Sequence, residues 1–147
     1  MAGLPFLDTN LFLRHLTHDH PDLSPKATAL WRRIAAGEEV VETTDTVVFE
    51  TVFTLQRFYR LSRQDIRDGV LPLLLLRGVR LAHKRRYRRA FDLYVTLPGL
   101  SFADCSHIAV MESRGLTRMI SFDHGLSRVS TITRLEPDDA GELRERS

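Results

Sequence analysis

The chain has 147 residues, 43% hydrophobic and 27% charged, the make-up of one globular domain with a sizeable core, and it shows no repeat or low-complexity linker. Its formal charge is +2, yet seven of the 21 Lys/Arg fall within residues 77–89 with no acid among them, leaving 14 basic against 19 acidic residues elsewhere. One cysteine, Cys105, excludes an internal disulfide framework and a cysteine-based zinc site; with no secretory leader pattern and no membrane-length apolar run, the expected compartment is the cytoplasm.

Residues 4–7 read as a short strand, with Pro5 tolerable near its start. In "FLDTN", Asp8 and Asn10 stand where that strand hands over to a helix over 10–16. Ser24 then Pro25 predicts a helix start, with Ala27, Leu30, Trp31 and Ile34 at helical spacing and Gly37 ending the run. Residues 39–43 alternate as a strand, and Asp45 can cap a helix reaching about Tyr59. Ser62 with Asp65 resembles a capping box opening another helix, which Gly69 and Pro72 are expected to bend or break. Residues 79–81 suit a strand. Tyr87, Ala90, Phe91 and Tyr94 give the apolar face of a helix whose other face carries arginines. Ser101 and Asp104 read as N-cap and third residue of a helix to about Ser113, ended by Gly115. Residues 117–121 and, more weakly, 131–135 complete the strands, so the domain spans 1–137 and a polar tail 138–147.

Strands alternating with helices imply an α/β fold, a parallel sheet of about five strands covered on both faces. Ligands of such sheets bind beyond the carboxyl ends of the strands, where Asp8 and Asp123 fall. Glu50 lies in a helix apolar almost all round; it is expected to be buried, and either pairs with Arg57 or reaches a polar pocket. Asp8, Asp104 and Asp123 each have a capping or turn reading as well. Their convergence would favour a cation, because crowded carboxylates repel one another. Oxygen donors alone suit Mg²⁺ or Mn²⁺. Thr9 and Ser121 could hold the carboxylates by hydrogen bonds, and Asn10 could bind a water or a phosphate oxygen. Arg77, Arg80, Lys84, Arg85, Arg86, Arg88 and Arg89 suit a polyanion or a solvated helix face. His15, His18 and His20 read as a solvated loop, His107 and His124 as bystanders, and Cys105 as a packed thiol.

Four segments, "FLDTNLFLR", "TVVFETVFTLQRFYRLS", "LSFADCSHIAVMESRG" and "ISFDHGLSRVSTITRLEP", in that order and spacing resemble the successive motifs of the PIN-domain ribonucleases, above all the VapC-type toxins of toxin–antitoxin pairs. The resemblance runs from Phe6 to about Pro137. It implies a PIN-like three-layer α/β/α fold and Mg²⁺- or Mn²⁺-dependent RNA hydrolysis. By carry-over Asp8, Asp104 and Asp123 are metal ligands, Glu50 is a ligand or orients the attacking water, and Asn10 and Ser121 are accessory. It further implies a homodimer held in check by a VapB-like antitoxin. The other readings are a housekeeping PIN nuclease, a phosphotransfer domain using Asp8 as nucleophile, and a non-catalytic RNA-binding module.

Overall fold

The computed structural model describes residues 2–139; the remainder of the predicted polar tail, 140–147, lies outside the described residues. Residues 5–7 run parallel to β1 (Val41–Glu42): Leu7 N–H donates to the Glu42 carbonyl at 2.7 Å, and Glu42 N–H to Pro5 at 2.9 Å. The chain reaches β1 through α1 (Thr9–Thr17) and α2 (Leu23–Ala35). It returns through α3 (Asp45–Arg57) and α4 (Arg63–Leu74) to β2 (Val79–Arg80), parallel to β1 with Val41 opposite Val79. Helices α5 (Arg86–Thr96) and α6 (Phe102–Ser113) then lie against each other. A second parallel ladder pairs β3 (Arg118–Ile120) with β4 (Thr133–Leu135), across a 3-10 turn at His124–Arg128.

One central sheet of about five strands, the expected arrangement, is not formed among the described residues. Among the described residues the parallel pieces form two separate two-stranded ladders, with residues 5–7 joined to the first by a single bridge. Residues 5–7 and β3 each carry an exposed apolar side chain, Phe6 at 57% and Ile120 at 57%.

Ser62 and Ser101 accept the N–H of Asp65 and Asp104 at 3.0 and 3.1 Å, so both helix starts follow the Ser-x-x-Asp spacing. The predicted Ser24 cap is displaced. α2 begins at Leu23, because the His20 ring Nδ1 accepts the N–H of Asp22 and Leu23, while Ser24 turns inward and accepts from His20 N–H. For α3 the N-cap is Thr44, with Asp45 the first helical residue. α4 is not broken at Gly69 or Pro72. Pro72 falls in the last turn, and Ile66, Val70 and Leu74 bury one continuous stripe. Gly69 is where Leu16 of α1 packs, since a Cβ there would stand 3.1 Å from Leu16 Cδ2.

Phe102, at the start of α6, joins an aromatic cluster within the core. Its ring meets Phe49 of α3 edge-on at 5.6 Å, and Tyr87, Phe91 and Tyr94 of α5 at 6.2, 4.8 and 5.4 Å. Each large side chain buried here contributes roughly 1.5–3 kcal/mol by removal from water. Tyr87 and Tyr94 face inward as their spacing predicts, with hydroxyls donating to Asp45 and Gln56. Burial, then the bond to Asp45, holds the Tyr87 hydroxyl well above its ordinary pKa. Among the described residues no helix is long and apolar enough to cross a membrane.

Candidate active site

Residues 5–7, β1 and β2 run parallel, so their carboxyl ends share one edge of the molecule. Asp8 follows the first of these ends and is the N-cap of α1, its Oδ1 accepting Thr9 N–H at 2.8 Å. Thr9 is buried, and its Oγ1 donates to Glu50 Oε2 at 2.9 Å. Acids 42 residues apart in sequence are thereby brought together through one threonine. Asn10 is exposed one residue on.

Glu50 is exposed, which corrects the expectation of a buried acid. α3 turns Val47, Val48, Thr51, Val52 and Leu55 inward, while Glu50, Phe53 and Arg57 form an outward stripe. Arg57 does not pair with Glu50; its guanidinium lies over the Phe53 ring at 5.7 Å.

Asp104 is half-buried in the first turn of α6, its N–H taken by the Ser101 hydroxyl. Asp123 is exposed, with Oδ1 accepting Gly125 N–H at 2.9 Å. The Ser121 hydroxyl accepts Asp123 N–H at 3.0 Å, so it fixes the backbone and not the carboxylate. The Asp123 turn packs on the residue before Ser101: a Cβ on Gly125 would stand 3.3 Å from Leu100 Cδ2. The Phe49–Phe102 contact links the chain beside Glu50 to the start of the Asp104 helix. Between these segments runs a largely apolar cleft of about 430 Å³, lined by Phe49, Phe53, Arg57, Arg63, Ser101 and Ala103 among others.

Asp8 and Glu50 therefore form one neighbourhood, and the Asp104 and Asp123 turns another. All four side chains offer oxygen donors, and none is ion-paired to Lys or Arg among the described residues. That donor chemistry fits a hard divalent cation. The geometry is not assembled: among the described residues no three His, Cys, Asp or Glu stand together as a metal-holding group.

The basic stretch divides. Lys84 Nζ donates to the Leu76 and Val79 carbonyls at 2.6 and 2.9 Å, and Arg89 binds Glu112 at 2.9 Å and Asp92 at 3.0 Å. These two are tied into the fold and drop out of the candidate polyanion set. Arg77, Arg80, Arg85 and Arg88 are exposed, and Arg86 is half-buried. Arg114, far along the chain at the end of α6, joins Arg85 and Arg86 around one cleft. Nothing local in the sequence marks it; only the packing of α6 along α5 brings it there. Of the remaining candidates, His15 Nδ1 shares a hydrogen bond with Thr28 Oγ1, His107 and His124 are exposed, and burial pushes the Cys105 thiol up to about 11.

Comparison with known proteins bears on the family of the whole chain. Ribonuclease VapC23 of Mycobacterium tuberculosis, from the CDC 1551/Oshkosh and H37Rv strains alike, is 27% identical over 123 residues, covering 83% of this chain and 94% of that protein. A crystal structure of M. tuberculosis VapC20, a sarcin–ricin loop cleaving toxin, is 23% identical with a TM-score of 0.38, covering 90% of this chain and 98% of that one. The PIN domain matches residues 6–132, from the residue bridged to β1 through the last buried apolar residue before β4. A match of that extent, taking in Asp8, Glu50, Asp104 and Asp123 alike, makes the chain a member of the PIN-domain family.

Proposed function

We propose that this chain is a divalent-metal-dependent endoribonuclease, the toxin of a VapBC-type pair, working in the cytoplasm as a homodimer restrained by a VapB-like antitoxin. The observation that carries this reading is the Asp8–Thr9–Glu50 linkage at the carboxyl edge of the strands, in a PIN-domain chain similar to a ribonuclease over most of both lengths.

In the working form, β3 adds to the open edge of residues 4–7, completing a five-stranded parallel sheet in a three-layer α/β/α domain. That pairing would use the N–H groups of Phe6 and Ile120, which have no backbone partner among the described residues, and would bring Asp123 to the same sheet edge as Asp8. Asp8, Asp104 and Asp123 would then hold Mg²⁺ or Mn²⁺, with Glu50 as a further ligand or as the group that orients the water. When bound, the ion supplies a Lewis acid for activating water and for the charge that grows on the phosphate. The chain's own part is positioning. The N-cap bond fixes Asp8, and Thr9 holds Glu50 by Oε2, leaving Oε1 to orient a water and accept its proton. The Gly125 N–H fixes Asp123, and the helix start fixes Asp104. Asn10 and Ser121 are accessory.

The test is cleavage of total cellular RNA by the purified protein with Mg²⁺, Mn²⁺ or EDTA, wild type beside Asp8→Asn. The expected result is discrete fragments that require the metal and vanish in the variant. A folded wild type that neither cleaves nor binds metal by calorimetry overturns the reading in favour of a non-catalytic RNA-binding module. Cleavage by a chain with no antitoxin partner would point to housekeeping RNA processing.

A further inference from the structure

Three arginines from two distant parts of the chain line one open cleft of about 550 Å³. Arg85 and Arg86 come from the turn after β2 and the start of α5; Arg114 comes from the end of α6. Leu81, His83, Lys84 and Ser113 complete the wall, and no carboxylate lines it. Arg85 and Arg114 are exposed and Arg86 half-buried, and none of the three makes an ion pair or side-chain hydrogen bond among the described residues. Of the seven Lys/Arg within residues 77–89, Lys84 and Arg89 alone spend their cations on the protein's own oxygens among the described residues. Arg85, Arg86 and Arg114 are the unpaired guanidiniums that share this one cleft. Their mutual repulsion is a cost in the free protein that a bound polyanion removes.

The position of the cleft is as telling as its charge. It opens after β2, and β2 runs parallel to β1 and to residues 5–7, so it shares the sheet edge from which Asp8 projects. Along α6, Asp104 and Arg114 are separated by about 15 Å at 1.5 Å per residue. A strand held at one end of α6 reaches the acids at the other within a few nucleotides.

We propose that this cleft is a backbone subsite for RNA, in which Arg85, Arg86 and Arg114 grip phosphates a few nucleotides away from the bond that is cut. Guanidinium forks suit phosphate oxygens in two-point contacts, and no carboxylate in the wall competes for them. The assignment rests on the ribonuclease reading above and gives it a direction: the strand runs from the cleft, along α6, to the acid edge.

The experiment measures binding of a fluorescein-labelled oligouridine by anisotropy in EDTA across a KCl series, with the full chain. Wild type is compared with the double variant Arg85→Gln/Arg114→Gln and with Arg33→Gln, an exposed arginine at the far end of α2. Circular dichroism melts check that each variant folds. The double variant is expected to bind more weakly at low salt, and its slope of log K against log salt is expected to be shallower by about 1.4, two lost contacts at about 0.7 each. Arg33→Gln should match wild type. An unchanged slope in the folded double variant overturns the subsite, as does an equal loss in Arg33→Gln. So does arginine-dependent binding of polyglutamate without arginine-dependent binding of RNA. Metal-dependent cleavage with an unchanged slope removes the subsite and leaves the nuclease; arginine-dependent RNA binding without any cleavage removes the nuclease and leaves the subsite.

Discussion

Thr9 is the residue on which the candidate site turns. Its backbone N–H holds Asp8 and its hydroxyl holds Glu50. Thr9→Val keeps the shape and removes only the hydroxyl. Groups that orient metal-binding carboxylates typically matter by 10–100-fold, so RNA cleavage should fall by about tenfold or more. Stability should fall by about 1 kcal/mol or less, since Glu50 is exposed and water replaces the lost donor. Initial cleavage rates beside thermal melts test this; an unchanged rate would reduce Thr9 to a helix-start residue. His15 makes a pH prediction. Burial, then the nearby His18 and Arg32, holds it below its ordinary 6.5. The unfolded chain therefore takes up the proton first, and stability falls as pH drops through about 6.5 towards His15's lower folded value. Asp19, held far below the usual carboxylate range by hydrogen bonds from Tyr59 and Arg14, stays charged through that window and adds no slope there. Melting temperatures taken between about pH 7.5 and about pH 5.5 should fall, and His15→Phe should flatten the trend. The four acids could be picked out from their motifs. The exposure of Glu50 could not, because Phe53 on the same outward stripe makes α3 read as apolar all round.

Among the elements, the two Ser-x-x-Asp helix starts provide an internal comparison. Ser62→Ala and Ser101→Ala each lose one capping bond, and each should cost about 1 kcal/mol in urea unfolding. Only Ser101→Ala loosens the turn that presents Asp104, so it alone should also slow metal-dependent cleavage. Equal activity in the two variants would separate the α6 cap from the site. These helix starts were legible because a cap is a local bargain between a side chain and an N–H three residues on. Pro72 was misread because its effect depends on how many turns follow, and α4 ends two residues later. The α2 start was misread because the acceptor is a histidine ring nitrogen, which no capping pattern anticipates.

For the whole molecule, the open question of strand pairing becomes a measurement. Neither Phe6 N–H nor Ile120 N–H has a backbone partner among the described residues. If β3 joins residues 4–7 when the acids gather around a cation, both amides should gain protection from hydrogen exchange on adding Mn²⁺. Asp123→Asn should abolish that gain. Protection confined to β1 and β2 would show that the two ladders stay apart. Alternation of strands and helices foretold parallel pairing, and all three pairings are parallel. It did not foretell two ladders, because which edges meet is decided by contacts between segments more than a hundred residues apart, and no local pattern carries that information.

Trp31 is the chain's single tryptophan, and its place gives the molecule a built-in optical probe. The indole is buried, its Nε1–H donates to the Leu11 carbonyl at 2.9 Å, and its ring lies 4.9 Å from Phe12 and 6.1 Å from His15. Every one of those contacts is with α1, the helix that begins at Asp8. Its emission therefore reports how α1 sits on α2 without any added dye, and quenching by a protonated His15 would make the same signal a readout of that imidazole's charge.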